Sequence, residues 1–199
     1  LFAEGYQVKV VLFNISNHLS ENCALNKSRL IDTKHFKDFT EVNVSFDPPE
    51  LTAETLVIDG LFGIGLNKPL AGGFASLVKY INQSPSKVVS IDVPSGLLAE
   101  DNSRNVRANI IQADLTLTLH QKKLSFLLGE SQQFLGRVKV LDIRLSREFI
   151  SKTGAQYAIL EESEVREKLL TRGDFVHKGT MGNALLIAGS YGMAGAAVL

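Results

Sequence analysis

Two apolar runs of the chain end in an aspartate and then break. Val57-Ile58-Asp59 opens onto Gly60-Leu61-Phe62-Gly63-Ile64-Gly65-Leu66-Asn67-Lys68-Pro69, and Val88-Val89-Ser90-Ile91-Asp92 opens onto Val93-Pro94-Ser95-Gly96. An acid at the carboxyl end of a buried strand, followed at once by glycines, puts a carboxylate and several free backbone N–H groups at the crevice where α/β sheets take ligands. Such a nest of N–H groups suits a phosphate, while the carboxylate suits a cation or a ribose hydroxyl. At the second run Pro94 has no N–H with which to continue a ladder, so the chain turns and leaves the Asp92 carboxylate and the Ser95 hydroxyl at the sheet's edge. Neighbouring strand ends of a parallel sheet share one crevice. Asp59 and Asp92 are therefore expected close enough to bind one cation, or to divide acid and base work. Each run alone also reads as a helix cap or an ordinary Asx bend. Two in succession favour the chemical reading.

A third stretch, 177–198, runs from His177-Lys178-Gly179 through Ala184-Leu185-Leu186-Ile187-Ala188 to Gly189-Ser190-Tyr191-Gly192-Met193-Ala194-Gly195-Ala196. A strand leading through glycines into a small-residue helix is a nucleotide-binding layout, because side chains are missing where a ligand must approach the backbone. It is not a Walker A loop, and His177 and Lys178 read most simply as solvated loop residues. His120 reads as a strand-end histidine and Cys23 as a packing residue. The sequence contains no CxxC pair, HExxH or GxSxG, which argues against zinc chemistry and serine hydrolysis.

The elements that must position these groups follow from hydrophobic periodicity. Strands are expected at Gln7–Phe13, Glu41–Val44, Thr55–Asp59, Lys87–Asp92, Leu115–Leu119, Val138–Asp142 and Ala184–Ala188, with helices at Leu19–Ile31, Gly73–Ile81 and Glu161–Thr171. Short apolar strands alternating with helices predict a doubly wound α/β fold, a mostly parallel sheet covered on both faces. The first residues read as the last turn of a helix stopped at Gly5, so the chain is expected to begin inside a unit. The pattern lapses around 145–158. A first domain is placed over 1–151 and the start of a second over 157–199, the latter too short to bury a core alone.

The 199 residues are 45% hydrophobic and 21% charged, and 21 Lys+Arg balance 21 Asp+Glu. With neither sign gathered into a block, the footprint of a nucleic-acid or acidic-membrane binder is absent. The apolar runs are too short to span a bilayer, and a single cysteine cannot form an internal disulfide. A cytoplasmic protein with a small neutral or anionic ligand is expected.

Asp59 to Leu70, followed by Ser90-Ile91-Asp92-Val93-Pro94-Ser95-Gly96-Leu97, resembles the NAD(P)H-hydrate epimerase family. The 177–198 stretch resembles the opening of the ADP- or ATP-dependent NAD(P)H-hydrate dehydratase, a ribokinase-like domain often fused behind the epimerase in bacteria. The resemblance covers nearly the whole chain. It implies a Rossmann-like first domain that interconverts the R and S hydrates of the nicotinamide ring, and a second that removes water from the S form at the expense of ADP or ATP. It further implies that Asp59 and Ser95 help hold a potassium ion, and that Gly63, Ile64, Gly65, Leu66, Asn67, Lys68 and Pro69 contact the hydrate's phosphates. Asp92 would contact the hydrate, and Gly195 and Ala196 would meet it in the dehydratase half; as a titratable carboxylate in the crevice, Asp92 is also expected to be the catalytic residue. Family members usually assemble as homo-oligomers. Ile64 stands where many of them have Thr, which removes one hydroxyl contact. The family's Asn-Asn-Gly-Gly-Asp loop, with another cation ligand, is expected upstream of Leu1, and the dehydratase's nucleotide site and acidic base beyond Leu199. Two other readings remain: a non-catalytic nucleotide-binding or interaction module of the same fold, and a ribokinase-like small-molecule kinase. The kinase leaves Asp59 and Asp92 without a role.

Overall fold

The first turns of the chain set the pattern for the rest. A 3-10 turn, Phe2–Glu4, stops at Gly5 with φ 86°, and the chain then enters β1 (Val10–Phe13). A computed structural model describes residues 1–199 apart from Ser16, His35, Glu161, Leu170, Thr171, Arg172, Met181, Leu199 and the side chain of Lys178. It divides into two units, Leu1–Ser146 and Arg147–Leu199.

In the first unit, α1 (Glu21–Ile31) begins where the Ser20 hydroxyl accepts the Cys23 N–H; Glu21 lies in its first turn and Arg29 in its last, as the helix dipole favours. β2 (Phe39–Val42) then pairs parallel to β1, with Val10 opposite Phe39 and Phe13 opposite Val42. That register draws the strand to residues earlier than the expected Glu41–Val44 and leaves Val44 exposed.

The second sheet runs β3 (Leu56–Asp59), β4 (Lys87–Ile91), β5 (Leu115–Leu119) and β6 (Arg137–Leu141), all parallel and in chain order. The expected sheet therefore exists in two pieces, since β2 does not pair with β3. Between β3 and β4 lies α2 (Gly72–Gln83), whose Ala75, Val78 and Ile81 fall on one stripe and are buried. Val78 and Ile81 pack with Val57 and Val88, while Phe126, Phe134 and Leu135 pack near Val138; α3 (Gln132–Leu135) supplies two of these.

Val88 and Ser90 project to the same side, and Ser90 aligns with Thr116 and Thr116 with Val138, so both hydrophobic clusters lie on one face of this sheet. Strands added in chain order with right-handed crossovers must place every connection on the same side.

The second unit contains α4 (Arg147–Lys152), α5 (Glu162–Lys168) and α6 (Gly195–Val198). Helix α5 falls within the expected Glu161–Thr171, of which Glu161, Leu170 and Thr171 lie outside the described residues. The strand expected at Ala184–Ala188 is not formed, because no described residue pairs with it and an extended segment becomes a strand only through a partner's ladder. None of the unit's described residues is buried.

Candidate functional site

Asp59 closes β3 on the inner face and is only 3% exposed. Its Oδ2 accepts the Ser90 hydroxyl at 2.7 Å and the Ser95 N–H at 2.8 Å; its Oδ1 accepts the Ser95 hydroxyl and, at 3.4 Å, the Leu61 N–H. The Ser95 Oγ also accepts the Phe62 N–H at 3.0 Å, which ties the glycine loop to the turn after β4. Among the described residues no Lys, Arg or His nitrogen lies within ion-pair distance of Asp59. A buried carboxylate with hydroxyl neighbours and no cationic partner offers the hard oxygen donors that a potassium ion takes. The residues present fit such an ion.

Asp92 follows the last residue of β4 and turns left-handed, φ 68°, a conformation Asp tolerates better than most residues. Its N–H still donates to Leu117 O at 2.8 Å, but its side chain leaves the sheet. Oδ1 accepts the Leu119 N–H at 3.3 Å and lies 2.8 Å from Lys123 Nζ. Oδ2 faces the glycine loop. A Cβ built on Gly63 would come within 3.2 Å of it, a tight contact that the carboxylate would relieve only by shifting a few tenths of an ångström, so glycine gives it room. Gly96 is needed for a different reason: at φ 97° its Cβ would meet Asn109 O at 2.2 Å.

The glycine loop itself turns where the Leu66 N–H donates to Gly63 O at 3.2 Å. Leu66 packs on the α2 cluster, with Pro69 half-buried, while Ile64, Gly65, Asn67 and Lys68 are exposed. One side of the loop is thus anchored in the core and the other is open, and the Lys68 ammonium has no ion-pair partner among the described residues.

Asp59, Ser95, Gly63 and Asp92 come together at the carboxyl ends of β3 and β4. The two carboxylates do not share a ligand set, however. Asp59 is bound by Ser90 and Ser95, and Asp92 by the loop after β5. Gly195 and Ala196 are exposed in α6 of the second unit. Two contacts escaped the sequence. Ser90 is recognisable only as the residue that alternation places on the same face as Val88, and Lys123 reaches Asp92 across 31 positions with no local signal.

A parallel α/β sheet that presents a buried acid, a hydroxyl and a glycine loop at adjoining strand ends has the layout at which α/β folds take small ligands. The family model for the YjeF-related protein N-terminus matches residues 1–125, and the chain belongs to that family. It is 35% identical over 108 residues to an NAD(P)H-hydrate epimerase of Limosilactobacillus fermentum, covering 54% of this chain and 51% of that protein. It is 31% identical over 151 residues to a bifunctional NAD(P)H-hydrate repair enzyme Nnr of Coxiella burnetii, covering 76% of this chain and 30% of that one. A protein of the same name from Dictyoglomus turgidum is 28% identical over 204 residues, 100% of this chain and 38% of its own length. The chain spans about half or less of each of these relatives.

Proposed function

We propose that this chain carries the epimerase part of a nicotinamide-nucleotide repair enzyme, interconverting the R and S forms of NAD(P)H hydrate. In the full-length protein this step is coupled to ADP- or ATP-dependent dehydration of the S form. The observation that carries the reading is Asp92: a carboxylate outside the sheet ladder, fixed at Oδ1 and aimed at the glycine loop through Oδ2. Inverting C6 of the hydrated ring requires a proton to move beside it, and Asp92 joins a titratable carboxylate to a position facing the glycine loop. Gly63, Ile64, Gly65, Leu66, Asn67, Lys68 and Pro69 would meet the hydrate's phosphates, with Lys68 as the charged member. Asp59 and Ser95 would hold potassium, whose positive charge offsets that of the phosphates.

The finer parts of the reading are that the second unit opens a ribokinase-like dehydratase domain, in which Gly195 and Ala196 meet the hydrate, and that the protein works in the cytoplasm as a homo-oligomer. The Dictyoglomus turgidum match, which extends through the whole chain, supports the fused arrangement. Among the described residues no helix is long and apolar enough to cross a membrane. The test is an epimerisation assay on the full-length protein with the R hydrate as substrate. Turnover to the S form is expected, and nucleotide binding without turnover would overturn the proposal.

A further inference from the structure

Lys123 is a charged residue to which the reading above gives no task, yet it is among the most constrained cations of the described residues. Its side chain is 12% exposed. Lys123 Nζ donates to two carbonyls, Leu119 O at 3.0 Å and Gln121 O at 3.2 Å, and forms an ion pair with Asp92 Oδ1 at 2.8 Å. The carbonyls brace it within its own loop. The ion pair crosses to the turn after β4. With the Leu119 N–H on the same oxygen, Asp92 has one oxygen held by an N–H and an ammonium, while among the described residues no donor reaches Oδ2. The two oxygens are therefore unlike: one is anchored and the other faces Gly63.

We infer that Lys123 is a positioning residue for epimerisation, holding Oδ1 of Asp92 so that only Oδ2 is presented to the ring of the bound hydrate. The inference rests on the proposed role of Asp92. A carboxylate held by the Leu119 N–H alone, at 3.3 Å, rotates about its terminal torsion and loses the angle at which a proton passes. Misplacement of a reacting group by about 1 Å costs on the order of 10²-fold in rate. The charge matters as well as the contact, because an ion pair between mostly buried side chains is little screened by solvent.

The test uses the full-length protein with the R hydrate, and four variants: Lys123→Gln, Lys123→Arg, Asp92→Asn and the Asp92→Asn/Lys123→Gln pair. Glutamine still donates to the Leu119 and Gln121 carbonyls, so the loop stays braced without the charge; the urea midpoint is measured alongside to confirm folding. Lys123→Gln should lower kcat at least tenfold with KM within about threefold, and Lys123→Arg should keep more of the rate than Lys123→Gln. In the Asp92→Asn background, Lys123→Gln should add no further loss, since Lys123 acts only through that carboxylate. Full kcat in Lys123→Gln beside an impaired Asp92→Asn overturns the role of Lys123 alone. So does a Lys123→Gln loss that repeats at full size in the Asp92→Asn background. Full kcat in Asp92→Asn overturns the reading of Asp92, and the inference with it.

Discussion

Asp92 occupies a backbone conformation that costs most side chains on the order of 1–2 kcal/mol, and Asn tolerates it as Asp does. Asp92→Asn therefore removes the titratable group while keeping the turn. In the full-length protein it should slow epimerisation about 10²-fold, the scale of general acid–base catalysis, with the urea midpoint within experimental error of the parent. Undiminished turnover would remove Asp92 from the chemistry. Asp59 is the opposite case, because its acceptors serve the fold as well. Asp59→Ala leaves the Ser90 hydroxyl and the N–H groups of Ser95 and Leu61 without their acceptor, at roughly 1–3 kcal/mol for each buried group left unpaired. The variant should unfold at lower urea, bind hydrate more weakly and show no response to added potassium. A potassium titration that matches the parent's would count against an ion at Asp59 and Ser95. Both aspartates were legible in the sequence, because an acid that ends an apolar run before a Gly or Pro break is a local pattern. Lys123 and Ser90 were not, because their contacts join residues 31 positions apart through the strand order.

Among the elements, β4 and β5 are joined by more than their ladder. Asp114 precedes β5, and its carboxylate accepts the Lys87 ammonium at 2.8 Å and the Val88 N–H at 2.9 Å, both from the start of β4. The Lys87 side chain and the Val88 N–H hold the Asp114 carboxyl below the usual carboxylate range, against a smaller opposing effect of burial. A carboxyl lowered in the folded state contributes stability above its unfolded value, about 3.9, and loses it as pH falls through the folded value. The pair is partly exposed, so solvent screening reduces its worth, and Asp114→Asn should cost about 1 kcal/mol at pH 7. Urea midpoints of parent and variant should converge once pH has fallen through the folded value. A gap that persists there would mean that the contact is not electrostatic. The strands β3 to β6 were readable from apolar runs bounded by turns, to within a residue or so at each end. Ala184–Ala188 was not, since periodicity reports a segment that can pair and says nothing of whether a partner is present. β2 shifted for a related reason: its register is fixed by β1 and not by its own residues.

For the first unit as a whole, the decisive feature is that four strands follow one another in chain order. One face carries both hydrophobic clusters, and the other carries the row Ile58, Val89 and Leu115, with Leu56 and Ile58 53% and 46% exposed. Alternating strand residues made the apolar character of both faces plain in the sequence. Which face is covered depends on strand order, which composition and periodicity do not contain. β3 is also the end strand of its sheet, so its outer backbone groups and its apolar side chains are exposed together, the combination that promotes edge-to-edge association. The 199-residue polypeptide should therefore self-associate at micromolar concentration through β3. Lysine at Leu56 and Ile58 places charge on that edge without touching Asp59, Ser90 or Ser95, whose side chains project to the other face. The Leu56→Lys/Ile58→Lys variant should sediment as a monomer at concentrations where the parent polypeptide forms larger species. If the parent is monomeric, or if the variant associates to the same extent, then β3 is not the surface that drives association.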